Sequence, residues 1–327
     1  MYKVIVSKLY SGANSNKIKL KESQKHVRNR EGFKLFLLTV PLLIATFIFC
    51  YLPLWGWSYA FFDYKAGFKL LDCNFVGLKH FLSTVANPIL RADVVRVLTN
   101  TFAMSFIGIA TSMLPMFFAI FLGEITKHKF RKIVQTITTV PNFISWVLVY
   151  SLAFAMFSVN DGFFNRLLMN LGIVKQGINF LASSDHVWLS MWGYGIWKGL
   201  GWGAIMYLSA ITSIDQQMYE AASIDGAGRF QKIWNITIPS LLPTFFILLM
   251  LSIANFLNNG MEQYYVFQNA MNKGSIEVLD LYVYNKGMVG NNISFSTAVG
   301  MLKSIVSIGL LFASNLLSKL VRGQSMF

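Results

Sequence analysis

The stretch EAASIDGAGRFQKIWNITIPSLLP, residues 220–243, decides how this chain is organised. It is polar and charged, and it separates two long apolar runs. We interpret it as a pair of surface helices through which another protein acts on this one.

The start of this stretch has the pattern of a capped helix. Ser213 or Asp215 is placed to cap a helix that begins near Gln216, because either side chain can accept a hydrogen bond from a free backbone N–H. Glu220 then falls in an early turn, where a carboxylate suits the positive end of the helix dipole.

The rest of the stretch predicts a bend and a second helix. Asp225 precedes Gly226, which permits a bend or a close backbone contact. A short helix is predicted from Phe230 to Trp234, and Pro239 with Pro243 is predicted to prevent one continuous helix into the next apolar run. Small side chains form a smooth face that fits a groove: Ala221, Ala222 and Ala227.

Composition indicates that the chain lies mostly in lipid. Of its 327 residues 55% are hydrophobic and 13% are charged, whereas soluble domains carry about a quarter charged residues. The net charge of +14 could indicate nucleic-acid binding. It fits better with the Lys and Arg that collect in the cytoplasmic loops of membrane proteins.

A bilayer core requires about 20 apolar residues of helix, and the chain has six runs of that kind. They predict an all-α, polytopic membrane protein with a basic cytoplasmic tail at 1–34 and a transmembrane domain at 35–327. Pro115 and Pro141 are predicted to kink the second and third runs. The predicted spans are 35–57, 97–122, 133–157, 187–211, 241–257 and 293–320, with a coupling loop at 215–239.

The distribution of basic residues predicts the topology. With the N-terminus inside, the inner segments hold seventeen Lys and Arg residues and the outer segments nine. Because positive residues favour the cytoplasmic side, we predict a multi-pass protein of the cytoplasmic membrane. Both termini and the 215–239 loop are then cytoplasmic.

An enzymatic role is not indicated by the sequence. No phosphate-binding loop occurs, the four histidines are scattered, and the apolar spans carry no cluster of acids or histidines. We therefore expect no catalytic residue, no metal site and no cofactor in this chain.

Two lysines interrupt the spans, Lys198 and Lys303. A lysine inside a membrane is costly, so it either pairs with a carbonyl or an acid or faces a cavity for a polar or anionic substrate. Both readings stay open. The aromatic residues of the same span stack on sugar rings or serve as packing: Trp192, Tyr194 and Trp197. Gly195, Gly199 and Gly203 predict a ridge where another helix approaches closely.

The residues of the 220–239 segment resemble a known family. Glu220-Ala-Ala, Gly226 and Ile236-x-Ile238-Pro239 are similar to the EAA motif of permease subunits of bacterial ABC importers, with isoleucine where leucine is usual. Other stretches resemble the subgroup that imports complex oligosaccharides and polysaccharide fragments. These are Tyr51-Leu-Pro-Leu-Trp-Gly, Trp197-Lys-Gly, Met261-Glu-Gln and Val299-Gly-Met-Leu-Lys303-Ser.

The resemblance implies a mechanism and a set of partners. Two permeases, implied to be a heterodimer of homologous subunits, form the pore. Two partner ATPases bind ATP and Mg and hold the coupling helices, and an extracytoplasmic solute-binding protein delivers an oligosaccharide. The motif assigns the ATPase contact to Glu220 and the turn to Gly226. Lys198 hints at acidic sugars such as uronate oligomers.

Alternatives remain at this stage. An ion-coupled secondary transporter requires buried Asp, Glu or His, which the spans lack. A structural or sensory subunit, or an importer permease for peptides or amino acids, is not excluded by the residues.

Overall fold

The computed structural model describes residues 32–322, so most of the predicted basic tail lies outside the described residues. Within 32–322 the chain forms helices and no strand, and one isolated antiparallel bridge joins Phe62 and Phe75. The predicted all-α fold is confirmed.

The chain divides into two compact units after Ser58. Helix α1, Gly32–Phe61, begins in the first unit. Its regular hydrogen bonding changes to a π-turn at Phe47–Tyr51 and then to 3-10 helix at Leu52–Phe61, which contains a proline and a glycine. The outer end of the first predicted span is therefore loosened, as the sequence indicated.

The second unit contains fourteen further helices within the described part of the chain. The helices up to the coupling segment are α2 Lys79–Ala86, α3 Pro88–Ala110, α4 Leu114–Gly123, α5 His128–Thr139, α6 Trp146–Phe157, α7 Phe163–Asn170 and α8 Val187–Thr212. Those that follow are α9 Gln216–Ile224, α10 Arg229–Lys232, α11 Ile238–Ala254, α12 Glu262–Phe267, α13 Lys273–Ile276, α14 Leu279–Tyr284 and α15 Ile293–Arg322.

The prediction of six spans is not confirmed. By length and composition, the described residues contain four helices able to cross a membrane, or five if one bent pair is a single span. Helix α8 matches the predicted 187–211 run in length but is not among them. Its glycine, serine, tyrosine and lysine residues lower its hydropathy, which suits a helix that faces polar surroundings.

The second predicted span, 97–122, starts too late. Helix α3 begins at Pro88, because the Asn87 side chain accepts hydrogen bonds from two N–H groups of its first turn and proline suits that position. The helix then breaks at Thr111 and resumes as α4, so the break precedes the predicted kink residue Pro115. Residues 88–95, which precede the predicted span, are helical, and Asp93 in this part of α3 is paired with Arg96 and Lys286.

The pairing centres on Glu277, which is 2% exposed. Arg96 donates to its Oε2 at 2.8 Å, and Asn285 Nδ2 donates to its Oε1 at 2.9 Å. Asp93 accepts from Arg96 at 3.5 Å and from Lys286 at 3.3 Å. This cluster, which we call the Glu277 network, joins the first turns of α3 to the segment before α15.

The third predicted span, 133–157, is not one straight helix. Helices α5 and α6 meet at an angle of 107°, joined by a 3-10 turn at Val140–Phe143. Pro141 lies in that turn, and Ser145 caps α6 by accepting from Leu148 N–H at 3.4 Å. The new cap makes the break sharper than a proline kink alone.

The prolines after the coupling loop do not interrupt the chain as predicted. Residues Arg229–Ala254 form one helical run that contains both Pro239 and Pro243. A π-turn at Ile233–Thr237 links α10 to α11, and Ile238 N–H donates to Ile233 O across it. This wider turn takes up the hydrogen-bond register just before Pro239, which has no N–H of its own.

Helix α8 is the central element of the second unit. One buried cluster packs it against α4 and α11, around Tyr207, Ile120 and Phe245. Another packs its first half against α3, α6 and the short helices after α11, around Met191 and Phe267. A third cluster, around Tyr282 and Phe295, lies between α3, α14 and α15. The coupling segment therefore follows the helix that contributes to two of the three buried clusters of the described residues.

Candidate functional site

The first part of the coupling segment (residues 215–239), up to Gly228, has the local structure that its residues predicted. Asp215 caps α9 by accepting from Gln217 N–H at 2.9 Å. Gly226 has φ +78°, in the left-handed region that disfavours side chains, and its N–H donates to Ser223 O at 3.2 Å. Ala227 N–H donates to Ala222 O at 2.8 Å, which closes the end of α9.

Side chains fasten the two helices of this segment to each other and to α11. Lys232 Nζ donates to Ser223 Oγ at 2.7 Å, and the hydroxyl groups of Tyr219 and Thr237 lie 2.9 Å apart. The turn between α9 and α10 is therefore held at both ends.

Most of the predicted coupling residues are accessible. Glu220, Ala221, Asp225, Gly226 and Pro239 are exposed, and the other two, Ala222 and Ala227, are half-buried. Three apolar side chains stand out on the same segment, with exposed fractions of 87% for Ile224, 83% for Phe230 and 70% for Trp234. An exposed apolar surface beside charged groups is typical of a protein interface.

A polar cavity of ≈ 580 Å³ adjoins the coupling segment. Glu220 lines it together with Glu124, Arg131 and Lys232. The cavity therefore has acidic and basic side chains beside the exposed helix α9. Such groups can form an ion pair with a charged side chain of another protein.

A second candidate site runs along the glycine face of α8. Two adjoining cavities of ≈ 290 and ≈ 190 Å³ share Gly108, Gly195 and Ile196 in their walls. Gly199 lies in the wall of the larger cavity, and a Cβ there would have open space around it. We call these two cavities the α8 groove.

Polar groups in the α8 groove come from separate segments. Trp192 Nε1 donates to Thr111 Oγ1 at 2.8 Å across the break between α3 and α4, and Gln263 Nε2 donates to Met191 O at 2.7 Å. Burial raises the pKa of Tyr264 to about 12, so its hydroxyl stays neutral. The lining residues include no charged side chain among those described.

The glycine ridge predicted on α8 is only partly a packing face. A Cβ at Gly203 would lie 3.2 Å from Pro115, but Gly199 opens into the groove. The closest approach is at Gly201, which the sequence did not single out: a Cβ there would be 2.2 Å from Thr138 O. Because Gly201 lies outside the i+4 series, its spacing gave no signal.

The predicted aromatic residues fall on two faces of α8. Trp192 lines the groove, whereas Tyr194 and Trp197 line a separate apolar cavity of ≈ 420 Å³ against α6. The Tyr194 and Phe267 rings are 4.8 Å apart. Trp197 is 43% exposed. The structure therefore brings Tyr194 and Trp197 together and separates them from Trp192.

The two lysines have different partners. Lys198 Nζ donates to Asn142 O at 2.6 Å and to Pro141 O at 3.3 Å. Lys303 forms an ion pair with Asp280, whose other oxygen accepts from Gly260 N–H at 3.0 Å. Both ammonium groups are thus held by partners of this chain, as the pairing alternative for each lysine required.

Three polar residues of the groove were missed at the sequence level. Thr111 and Ser112 form a polar pair inside an apolar run, which could have marked a break or a lining position. Gln263 lies within the quoted Met261-Glu-Gln stretch. Within residues 32–322 no cluster of His, Cys, Asp and Glu is suited to a metal ion.

Apolar spans around a neutral groove, with an exposed polar helix pair at the end of the central helix, define the class of membrane transport permease. Residues 111–323 match the family described as binding-protein-dependent transport system inner membrane component. The chain therefore belongs to this family of ABC importer permease subunits, and the resemblance seen in the EAA motif is confirmed.

Relatives and solved structures agree with this placement. Protein LplB of Bacillus subtilis is 38% identical, over 90% of this chain and 91% of its own. The polygalacturonan/rhamnogalacturonan transport system permease protein YteP of Bacillus subtilis is 37% identical, over 87% of each chain. The bacterial alginate ABC transporter, in complex with alginate pentasaccharide-bound periplasmic protein, has a chain with TM-score 0.80 and 28% identity. That match covers 91% of this chain and 98% of the other.

Proposed function

We propose that this chain is a membrane-spanning permease subunit of an ATP-driven, binding-protein-dependent importer of oligosaccharides, and that it forms half of the translocation pathway. The observation that carries the proposal is the exposed, internally fastened coupling segment at the end of α8, the helix that also forms the wall of the α8 groove. Helix α8 thereby connects the segment on which the ATPases act with the groove along which the solute passes.

The energy is supplied by two partner ATPases that bind ATP and Mg. Glu220 contacts a basic residue of the ATPase, and the exposed Ile224, Phe230 and Trp234 fill its docking cleft. Apolar anchors surrounded by charged groups supply affinity and orientation at such an interface.

The solute is an oligosaccharide, and it passes along the α8 groove. Sugars present hydroxyl groups and apolar C–H faces, which match hydroxyl, amide and indole groups in the groove wall. Trp192 is held in place by Thr111, so its ring is a fixed stacking surface.

The names of two relatives point to acidic sugars. YteP is named for polygalacturonan and rhamnogalacturonan, and the solved transporter imports the acidic polysaccharide alginate. We propose acidic oligosaccharides as the first substrates to test. Their carboxylates are not recognised by Lys198, because its ammonium group donates hydrogen bonds to two backbone carbonyl groups.

The partners and the topology follow from the same assignment. A second, homologous permease completes the pore as a heterodimer, and a solute-binding protein delivers the sugar from outside the cell, without any nucleic-acid partner. The excess of Lys and Arg in the inner segments supports a multi-pass protein of the bacterial cytoplasmic membrane, with both termini and the coupling segment in the cytoplasm.

A Gly199→Leu substitution tests the path. The leucine side chain extends into the open space beside Gly199, and we expect uptake of the oligosaccharide to fall about tenfold or more. The side chain would occupy part of the ≈ 290 Å³ cavity through which the sugar is proposed to pass, and a loss of 1.4 kcal/mol corresponds to about tenfold. Uptake is measured in proteoliposomes that contain the complete transporter and its binding protein.

The matched control is Gly309→Leu, at an exposed position of α15 where a Cβ also meets open space. This variant is expected to transport as the wild type does. Equal uptake by the Gly199→Leu and Gly309→Leu transporters would contradict the assignment of the groove, provided that both complexes assemble.

A further inference from the structure

The break between α5 and α6 leaves carbonyl groups without helical partners. A helix that ends has C=O groups that no N–H of the next turn can reach. Here the chain turns by 107° after the 3-10 residues Val140–Phe143, and α6 starts afresh at Trp146. In a membrane, such carbonyls require another donor, because lipid offers none.

Lys198 is such a donor, and it acts beside Ile144 N–H, which donates to Pro141 O at 3.2 Å within the 3-10 turn. Its Nζ lies 2.6 Å from Asn142 O, 3.3 Å from Pro141 O and 5.5 Å from the centre of the Trp146 ring. No acidic side chain of the described residues lies within 4.0 Å of it. The ammonium therefore acts as a cap on the negative end of α5, supported by the face of an indole ring.

Two neighbouring contacts fix the same part of α8 to the break. At Gly201 the α8 backbone passes so close to Thr138 O that a Cβ would be 2.2 Å from it. The Trp202 ring packs edge-on to Phe143, with centroids 5.6 Å apart. Residues 198–202 thus hold one turn of α8 against the α5–α6 break through a charge, a backbone contact and a ring contact.

The same helix ends at the coupling segment. From Lys198, α8 continues for ~21 Å at 1.5 Å per residue to Thr212, and α9 begins at Gln216. A displacement of α9 is therefore carried along a continuous helix to the break. The hydrogen bonds of Lys198 are strong at this site, because breaking them would leave an unpaired ammonium charge in the membrane.

We propose that Lys198 is a positioning residue that transmits movement of the coupling segment to the α5–α6 break. When ATP hydrolysis displaces α8, the Lys198 hydrogen bonds move the break together with α8, so that α8 does not slide past it. The inference rests on the proposed function. It assigns Lys198 to coupling rather than to recognition of the sugar.

The test compares Lys198→Met, Lys198→Gln and Lys198→Arg in the complete transporter, reconstituted with its ATPases and binding protein. Lys198→Met keeps the length of the side chain and removes every donor. We expect sugar transported per ATP hydrolysed to fall about tenfold or more, as suits the loss of hydrogen bonds to a charged group. Lys198→Arg restores most of the coupling, and Lys198→Gln, with an uncharged donor, is intermediate.

Assembly, basal ATP hydrolysis and the KM for loaded binding protein are expected to stay at wild-type values, which separates lost transmission from a misfolded subunit. Lys175→Met, at an exposed lysine, is the matched control. If Lys198→Met does not assemble, the sugar transported per ATP hydrolysed is compared between Lys198→Gln and Lys198→Arg.

Three results would overturn the inference. They are unchanged sugar per ATP in Lys198→Met, an arginine variant no better coupled than methionine, and a change in preference between acidic and neutral sugars without loss of coupling. Failure of the proposed function itself is distinct, because the wild-type transporter would then move no oligosaccharide.

Discussion

Gly226→Pro is expected to reduce ATP-driven uptake about 100-fold. Proline fixes φ near −65°, whereas Gly226 has φ +78°, and proline also removes the N–H that donates to Ser223 O. A misplaced proline costs roughly 3 kcal/mol or more, and this corresponds to about 100-fold. The measurement is uptake and ATP hydrolysis by the reconstituted transporter, with recovery of bound ATPase as the assembly check.

Alanine substitutions at Gly226 and Gly228, two glycines of the same turn, provide the matched control. Gly228 has φ −72°, and a Cβ there would make an ordinary contact 3.8 Å from Gln231. Gly228→Ala is therefore expected to transport normally. Gly226→Ala should reduce ATP-driven uptake about tenfold, because a side chain in the left-handed region costs roughly 1–2 kcal/mol. Equal uptake by the two alanine variants would show that the bend does not matter.

Glu277→Gln is expected to destabilise the folded chain by ~2–4 kcal/mol. Removing one partner of a buried ion pair costs roughly 3–5 kcal/mol, and the 34% exposure of the Arg96 side chain lowers that figure. The substitution also disturbs the acceptor of Asn285 Nδ2. Thermal unfolding of the purified protein should shift downward by more than about 5 °C.

Asp161→Asn makes the same chemical change in an exposed pair. The Asp161 and Arg166 side chains are 79% and 61% exposed, and such pairs contribute about 0–1 kcal/mol. This variant should unfold close to the wild-type temperature. If Glu277→Gln were no less stable than Asp161→Asn, the Glu277 network would not hold α3 to the segment before α15.

The coupling segment was predictable because its signals are local. The cap at Asp215, the positive φ of Gly226 and the helix after Gly228 each depend on a few adjacent residues. Helix α8 was also predicted to within a residue, since a long run with a single charged residue, Lys198, leaves few other structures in a membrane.

Other boundaries depend on partners distant in sequence. Helix α3 begins before the apolar run, because its charges pair with residues near 277–286. The sharp bend between α5 and α6 is stabilised by Lys198, and the two prolines of α11 are accommodated by a π-turn. None of these arrangements can be recognised from hydropathy or from a single proline.

The α8 groove was predictable only in part. The sequence offered Trp192 as an aromatic candidate and Gly199 as a packing position. The structure adds Thr111 and Gln263 from other segments and shows that Gly199 opens into the cavity. A groove assembled from residues this far apart becomes visible only when the helices are packed.

The central claim is that the chain moves an oligosaccharide with energy received through the coupling segment. The most direct measurement is accumulation of labelled oligosaccharide in proteoliposomes containing the complete transporter, with wild-type protein or Glu220→Ala. Wild-type vesicles should accumulate sugar with ATP and not with an ion gradient alone. Glu220→Ala should lose about tenfold or more, because a hydrogen bond to a charged group contributes roughly 1.5–3 kcal/mol. Accumulation driven by an ion gradient without ATP, or undiminished in Glu220→Ala, would contradict the account.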